Sequence, residues 1–142
     1  MSTLQIAKNA IQELSRSFPA ITMETNENDP VELSVTIPEQ NGVKHEIWLC
    51  LQNGDELHFQ VGKFWLSWFP CSDESVTRSY IDTVAGYISG KYRIYEHYRG
   101  KRCVKSELQM LSNGSWDTVG TSSSSFGLPI PWKKTYREIR NA

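Results

Sequence analysis

Between Val31 and Phe69 apolar side chains recur at every second position, and this alternation limits what the chain can fold into. Val31, Leu33, Val35 and Ile37 alternate with Glu32, Ser34 and Thr36. Val43, His45, Ile47, Leu49 and Leu51 alternate with Lys44, Glu46, Trp48 and Cys50. Leu57, Phe59 and Val61 then alternate with His58 and Gln60. A period of two marks strands with one buried face. Three antiparallel strands in a row are therefore predicted, with the rest of the chain covering one face.

Two Gln-Asn-Gly tripeptides, at 40–42 and 52–54, punctuate the run. A two-residue Asn-Gly loop at the second would pair Leu49 with His58 and turn the third strand's apolar side outward. A three-residue loop avoids this. It predicts one row of Leu33, Leu49 and Leu57 and a second of Val35, Ile47 and Phe59. After Val61 the parity changes, which predicts a bulge or bend at Gly62 within the same strand. Phe64, Leu66 and Trp68 then alternate with Trp65, Ser67 and Phe69 until Pro70. This aromatic run reads as a buried strand, or as one that presents Trp65 and Phe69 outward as a contact patch.

The flanks supply helices. Leu4, Ala7, Ile11, Leu14 and Phe18 form one stripe over Thr3 to Ser17, with Ser2 and Gln5 placed for a capping box and Pro19 as a stop. Ile21, Met23 and Thr25 suggest a first strand, followed by an Asn28-Asp29-Pro30 turn. A second helix is expected from about Glu74 to Ser89, capped by Ser72 or Asp73 and stopped by Gly90. Gly86 weakens it or admits a close neighbour. Tyr92 to His97 and Lys101 to Leu111 read as a hairpin that pairs Ile94 with Val104 and Glu96 with Arg102. A Ser112-Asn113-Gly114 turn leads to a strand from Trp116 to Gly120, and Thr121 to Ser125 reads as a polar loop. Pro129 and Pro131 precede Trp132, Tyr136 and Ile139, whose spacing allows a short helix or a last strand.

The expected order is helix, four strands, helix, three strands and a short C-terminal element. The fold class is α+β: a curved antiparallel sheet with the helices packed on one face. At 142 residues the chain is expected to form a single domain. No apolar run approaches a membrane span, and the N-terminus lacks a basic segment followed by an apolar one. Cys50, Cys71 and Cys103 are odd in number and contain no Cys-x-x-Cys pair, which fits reduced thiols in the cytoplasm.

Catalytic motifs are not evident: there is no phosphate-cradling glycine loop, His-Glu-x-x-His or Gly-x-Ser-x-Gly in the chain. His45 is expected on the apolar face of its strand, His58 on the outer face opposite Trp48, and His97 on the outer face of the later hairpin. A zinc site joining His58 and His97 to Cys50 or Cys103 lacks ligands at the required spacing, so neither metal nor cofactor is expected. Cys103 lies near Lys101, Arg102 and Lys105, a setting that lowers a thiol pKa, but an inert strand cysteine is the default.

Two surfaces remain as binding candidates. Trp48, His58, Trp65 and Phe69 could meet a protein. Arg93, Tyr95, His97, Lys101 and Lys105 share a basic and aromatic hairpin face, with Arg99 in its turn, that could track phosphates and stack bases. Charge is unevenly spread: residues 1–82 carry 5 basic and 12 acidic side chains, residues 83–142 carry 10 and 4. An acidic first half and a pI near 6.3 argue against tight general nucleic-acid binding. The expectation is a non-enzymatic cytosolic protein–protein interaction module, immunity-, chaperone- or adaptor-like. The alternatives are nucleic-acid binding through the hairpin face or a small ligand held between helix and sheet.

Overall fold

In the computed structural model, residues 1–123 and 133–141 are described. The chain begins with α1 (Thr3–Ser17) and continues through β1 (Glu24–Thr25), β2 (Leu33–Ile37), β3 (Ile47–Gln52), β4 (Glu56–Val61) and β5 (Phe64–Trp68). After α2 (Glu74–Ile88) come β6 (Tyr92–Arg99), β7 (Arg102–Ser112), β8 (Ser115–Ser123) and β9 (Lys134–Ile139). The class is mixed α+β, mostly strand. The strands form two antiparallel sheets, ordered β1-β2-β3-β4-β5 and β8-β7-β6-β9, where a single curved sheet was expected. The two meet through side chains. Leu66 and Phe64 of β5 lie against Gly120 of β8, where an added Cβ would sit 3.2 Å from Leu66 Cδ2.

The first sheet has five strands where four were expected, because Gly62 is a turn residue and not a bulge. Val61 pairs with Phe64 across Gly62-Lys63, and Gly62 takes φ +57°. A glycine at positive φ in the first of two turn positions is what a type II′ hairpin requires.

The apolar faces coincide as expected, but the register differs by two residues. Leu33 pairs with Leu51 and Leu51 with Leu57; Val35 pairs with Leu49 and Leu49 with Phe59; Ile37 pairs with Ile47 and Ile47 with Val61. These side chains, together with Ala7, Ala10 and Leu14 of α1 and Tyr80, Val84 and Tyr87 of α2, belong to one buried cluster. Each large apolar member contributes about 1.5–3 kcal/mol by leaving water.

Helix ends follow local chemistry. Ser2 Oγ accepts from Gln5 N at 3.1 Å, half of the capping box, while the Gln5 amide turns to Asn9 Oδ1 instead of reaching back. Asp73 caps α2 by accepting from Ser75 N at 2.9 Å. Lys91 N reaches Gly86 O at 2.8 Å, with Gly90 at φ +86°. That is the left-handed C-terminal closure that glycine favours.

In the second sheet Ile94 pairs with Leu108 and Glu96 with Ser106, so the expected Ile94–Val104 and Glu96–Arg102 pairs do not form. A register shift between His97 and Tyr98 closes the hairpin through Gly100-Lys101. Thr121 to Ser123 extend β8, so the loop assignment there does not hold. The C-terminal element is a strand, with Ile139 beside Ile94. Pro129, Pro131, Trp132 and the serines at 124 and 125 lie outside the described residues. Among the described residues no helix is long and apolar enough to cross a membrane.

Candidate functional site

The outer face of the first sheet is polar, and its residues hold one another. Trp48 Nε1 donates to Ser34 Oγ at 2.8 Å. Asn26 Nδ2 donates to Ser34 Oγ and Thr36 Oγ1, both at 2.9 Å, and Ser34 donates to Asp29. Trp48 is thus half-buried and fixed. Beside it lies an open groove of about 690 Å³, lined by Asp29, Glu39, His45, Glu46, Trp48 and Gln60 among others. Three carboxylates and no lysine or arginine line it, so its field is negative. His45 is part of this lining. It sits in the irregular segment 44–46 before β3, not on a strand's apolar face as expected, because pairing resumes only at Ile47.

His58 departs furthest from expectation. It points to the outer face but is only 1% exposed, and its partner across β3 is Cys50, while Trp48 faces Gln60. Trp65 covers the ring at a centroid distance of 4.9 Å. Glu56 Oε1 lies 3.1 Å from Nε2, and the Gln52 amide nitrogen lies within 3.2 Å of both ring nitrogens. With Nε2–H donating to Glu56, Nδ1 is left to accept from the Gln52 amide. Sealed in this way, His58 packs beneath Trp65 and supports the sheet. Trp65 itself remains 43% exposed and Phe69 60% exposed.

The second face is built on β6, β7 and β9. Register places Arg93, Tyr95 and His97 beside Gln109, Glu107 and Lys105 on one side and Glu138 and Tyr136 on the other. Tyr95 and Tyr136 stack at 5.4 Å with 15° between planes, and His97 meets both edge-on at 5.3 and 5.2 Å. Arg93 lies 4.7 Å above Tyr95 and 4.5 Å above Trp116, with Arg140 4.9 Å above Trp116. The alternation of β6 made Arg93, Tyr95 and His97 legible as a set. Trp116, Tyr136, Glu107 and Glu138 join it only through pairing with other strands.

That pairing changes the face's charge. Arg93 bridges to Glu138, and its Nε donates to Gln109 Oε1 at 2.8 Å. His97 and Thr118 both hydrogen-bond Glu107, and Lys105 Nζ lies 3.6 Å from the same carboxylate. Burial alone would raise the Glu107 carboxyl; the hydrogen bonds from Thr118 and His97, with the Lys105 charge, outweigh it and hold the group below its usual range. Lys101 sits in the turn and lines a different cleft, with Lys63, Arg102 and Cys103.

His58 and His97 lie in different sheets, and no group of three or more His, Cys, Asp or Glu among the described residues could hold a metal ion. Burial pushes the Cys50 thiol up to about 12, with Glu32, Asp29 and Glu56 adding to the shift. A cleft of about 440 Å³ does run between α1 and the β1–β2 edge, lined by Gln5, Ile11, Met23, Leu33 and Val35 among others. No protein-family model, curated protein or solved structure matches the chain.

Proposed function

We propose that this protein is a non-enzymatic interaction module of the cytosol, acting as a single domain without a cofactor, whose partner is another protein. Its contact surface is the outer face of the first sheet. The observation that carries the reading is the exposure of Trp65 on β5, beside a groove lined by Asp29, Glu39 and Glu46, and of Phe69 just past the end of that strand. Trp65 pairs with Gln60, a groove residue, so the apolar rim and the acidic wall adjoin. Exposed aromatics next to a field of one sign are the ingredients of a steered protein interface. The partner is a protein that presents a basic segment. The role is immunity-, chaperone- or adaptor-like.

The second sheet is the lesser candidate. Its Tyr95–Tyr136 stack favours a nucleobase platform. The carboxylates of Glu107 and Glu138, however, already engage His97, Lys105 and Arg93, and a phosphate backbone needs that positive charge.

The test is capture from the native host's lysate by the tagged full chain, with and without nuclease, read by mass spectrometry. A single basic protein recovered in near-equal amount and insensitive to nuclease is expected. Recovery that disappears with nuclease would transfer the function to the second sheet.

A further inference from the structure

Lys63, Lys101, Arg102 and Lys105 line one cleft beside the junction of the two sheets, and of these Lys105 is shared with the second face. Lys63 comes from the β4–β5 turn, Lys101 from the β6–β7 turn, and Arg102 and Lys105 from β7. Together with Cys103, Ser106 and Ser122 they line a cleft of about 400 Å³ with no carboxylate among its described lining residues. Ser106 is buried, and its hydroxyl lies 3.6 Å from Cys103 Sγ. Register brings Glu96 and Ser122 to either side of Ser106. The Glu96 oxygens are spent on Lys63 N at 2.7 Å, Tyr98 OH at 2.8 Å and Arg137 at 4.0 Å. Lys105 reaches Glu107 at 3.6 Å and also lines the cleft.

We infer that this cleft is an anion site for a small phosphate-bearing molecule with at least two negative charges, of the pyrophosphate class. Its lining supplies the chemistry such a ligand needs. Lysine ammonium groups such as those of Lys63 and Lys101 match tetrahedral oxyanions through charge-assisted hydrogen bonds. Serine hydroxyls rotate to donate to the remaining oxygens. Lys63 of the first sheet joins the 101–106 stretch and Ser122 of the second, so the site depends on the folded arrangement of both sheets. Its size suits a compact ligand in a half-open cleft, not an extended polymer.

The experiment is calorimetric titration of the full chain with inorganic pyrophosphate at low salt, repeated with orthophosphate and with a single-stranded oligonucleotide. Lys63→Ala and Lys101→Ala remove exposed side chains, and the Lys63 backbone amide that bonds Glu96 is kept. Lys91→Ala is the control, an exposed cation at the opposite end of β6. The expected result is saturable pyrophosphate binding, tighter than orthophosphate, weakened about tenfold or more by each cleft variant as for loss of a charge-assisted contact. Lys91→Ala should leave it unchanged, and thermal melting without ligand should show all variants folded. Absent binding at millimolar pyrophosphate, equal weakening by Lys91→Ala, or tighter binding of the oligonucleotide to the same cleft would overturn the assignment.

Discussion

The buried carboxylate of Glu96 accepts a hydrogen bond from the Lys63 backbone amide at 2.7 Å, tying the β4–β5 turn of one sheet to the middle of the other. Glu96 is fully buried, and Tyr98 OH donates to its second oxygen at 2.8 Å. Removing the carboxylate leaves two donors without an acceptor. Glu96→Ala should therefore cost about 2–4 kcal/mol in urea unfolding, and Glu96→Gln, which keeps one acceptor oxygen, should cost less. A cost below about 0.5 kcal/mol for Glu96→Ala, the range of an ordinary surface change, would show that this contact does not hold the sheets together.

Gly86 is a helix-interior glycine whose replacement should fail. By propensity alone, Gly86→Ala would stabilise α2 by roughly 1 kcal/mol. A Cβ there would lie 2.1 Å from Tyr92 Cδ2, so the Tyr92 ring must leave its place. The substitution should instead destabilise by about 1–3 kcal/mol. Combined with Tyr92→Ala it should cost less than the sum of the two single changes, because the clash is gone.

Glu107 sets an acid limb. Its folded carboxyl is held below the usual value of 4.5. A depressed carboxylate contributes stability that is present above the unfolded-state value and lost as pH falls through the folded value. Unfolding free energy should therefore decline below about pH 4.5, and Glu107→Gln should flatten that decline. An unchanged slope between wild type and variant would remove Glu107 from the account.

The cysteines should separate by reactivity. Cys50 and Cys71 are buried and both thiols are pushed up by desolvation, Cys50 to about 12. Native protein treated with iodoacetamide should carry label at Cys103, with Cys50 and Cys71 modified only after unfolding. Peptide mapping reads the outcome directly. Rapid native labelling of Cys50 would contradict its burial.

Side-chain parity made the faces of β2, β3 and β4 legible, since alternation fixes which residues share a side. It did not fix the register, because residues two apart on one strand are interchangeable to a pattern of period two. Leu49 was therefore expected beside Leu57 and is found beside Phe59. One missed turn explains two further errors. Val61 and Phe64 are both buried, as a two-residue hairpin loop demands, and Gly62-Lys63 carries the glycine-first signature of such a loop. Read as a bulge, that segment sends β5 onward. Read as a turn, it folds β5 back and places Trp65 over His58. The strand count and the burial of His58 therefore failed together. The hairpin face at Arg93, Tyr95 and His97 was visible in the alternation, but its neutralising carboxylates, Glu107 and Glu138, arrive only through long-range pairing.

Whether the outer face of the first sheet binds a protein is decided by one comparison. Lysate capture is run side by side with the wild-type chain, a Trp65→Ser/Phe69→Ser variant and an Arg93→Glu/Lys105→Glu variant, and the recovered partner is quantified. The first variant should lose the partner by about tenfold or more, in the range for removal of interface anchors, while the second retains it. Full retention by the Trp65→Ser/Phe69→Ser variant, with loss by the Arg93→Glu/Lys105→Glu variant, would contradict the claim and assign the contact to the second sheet.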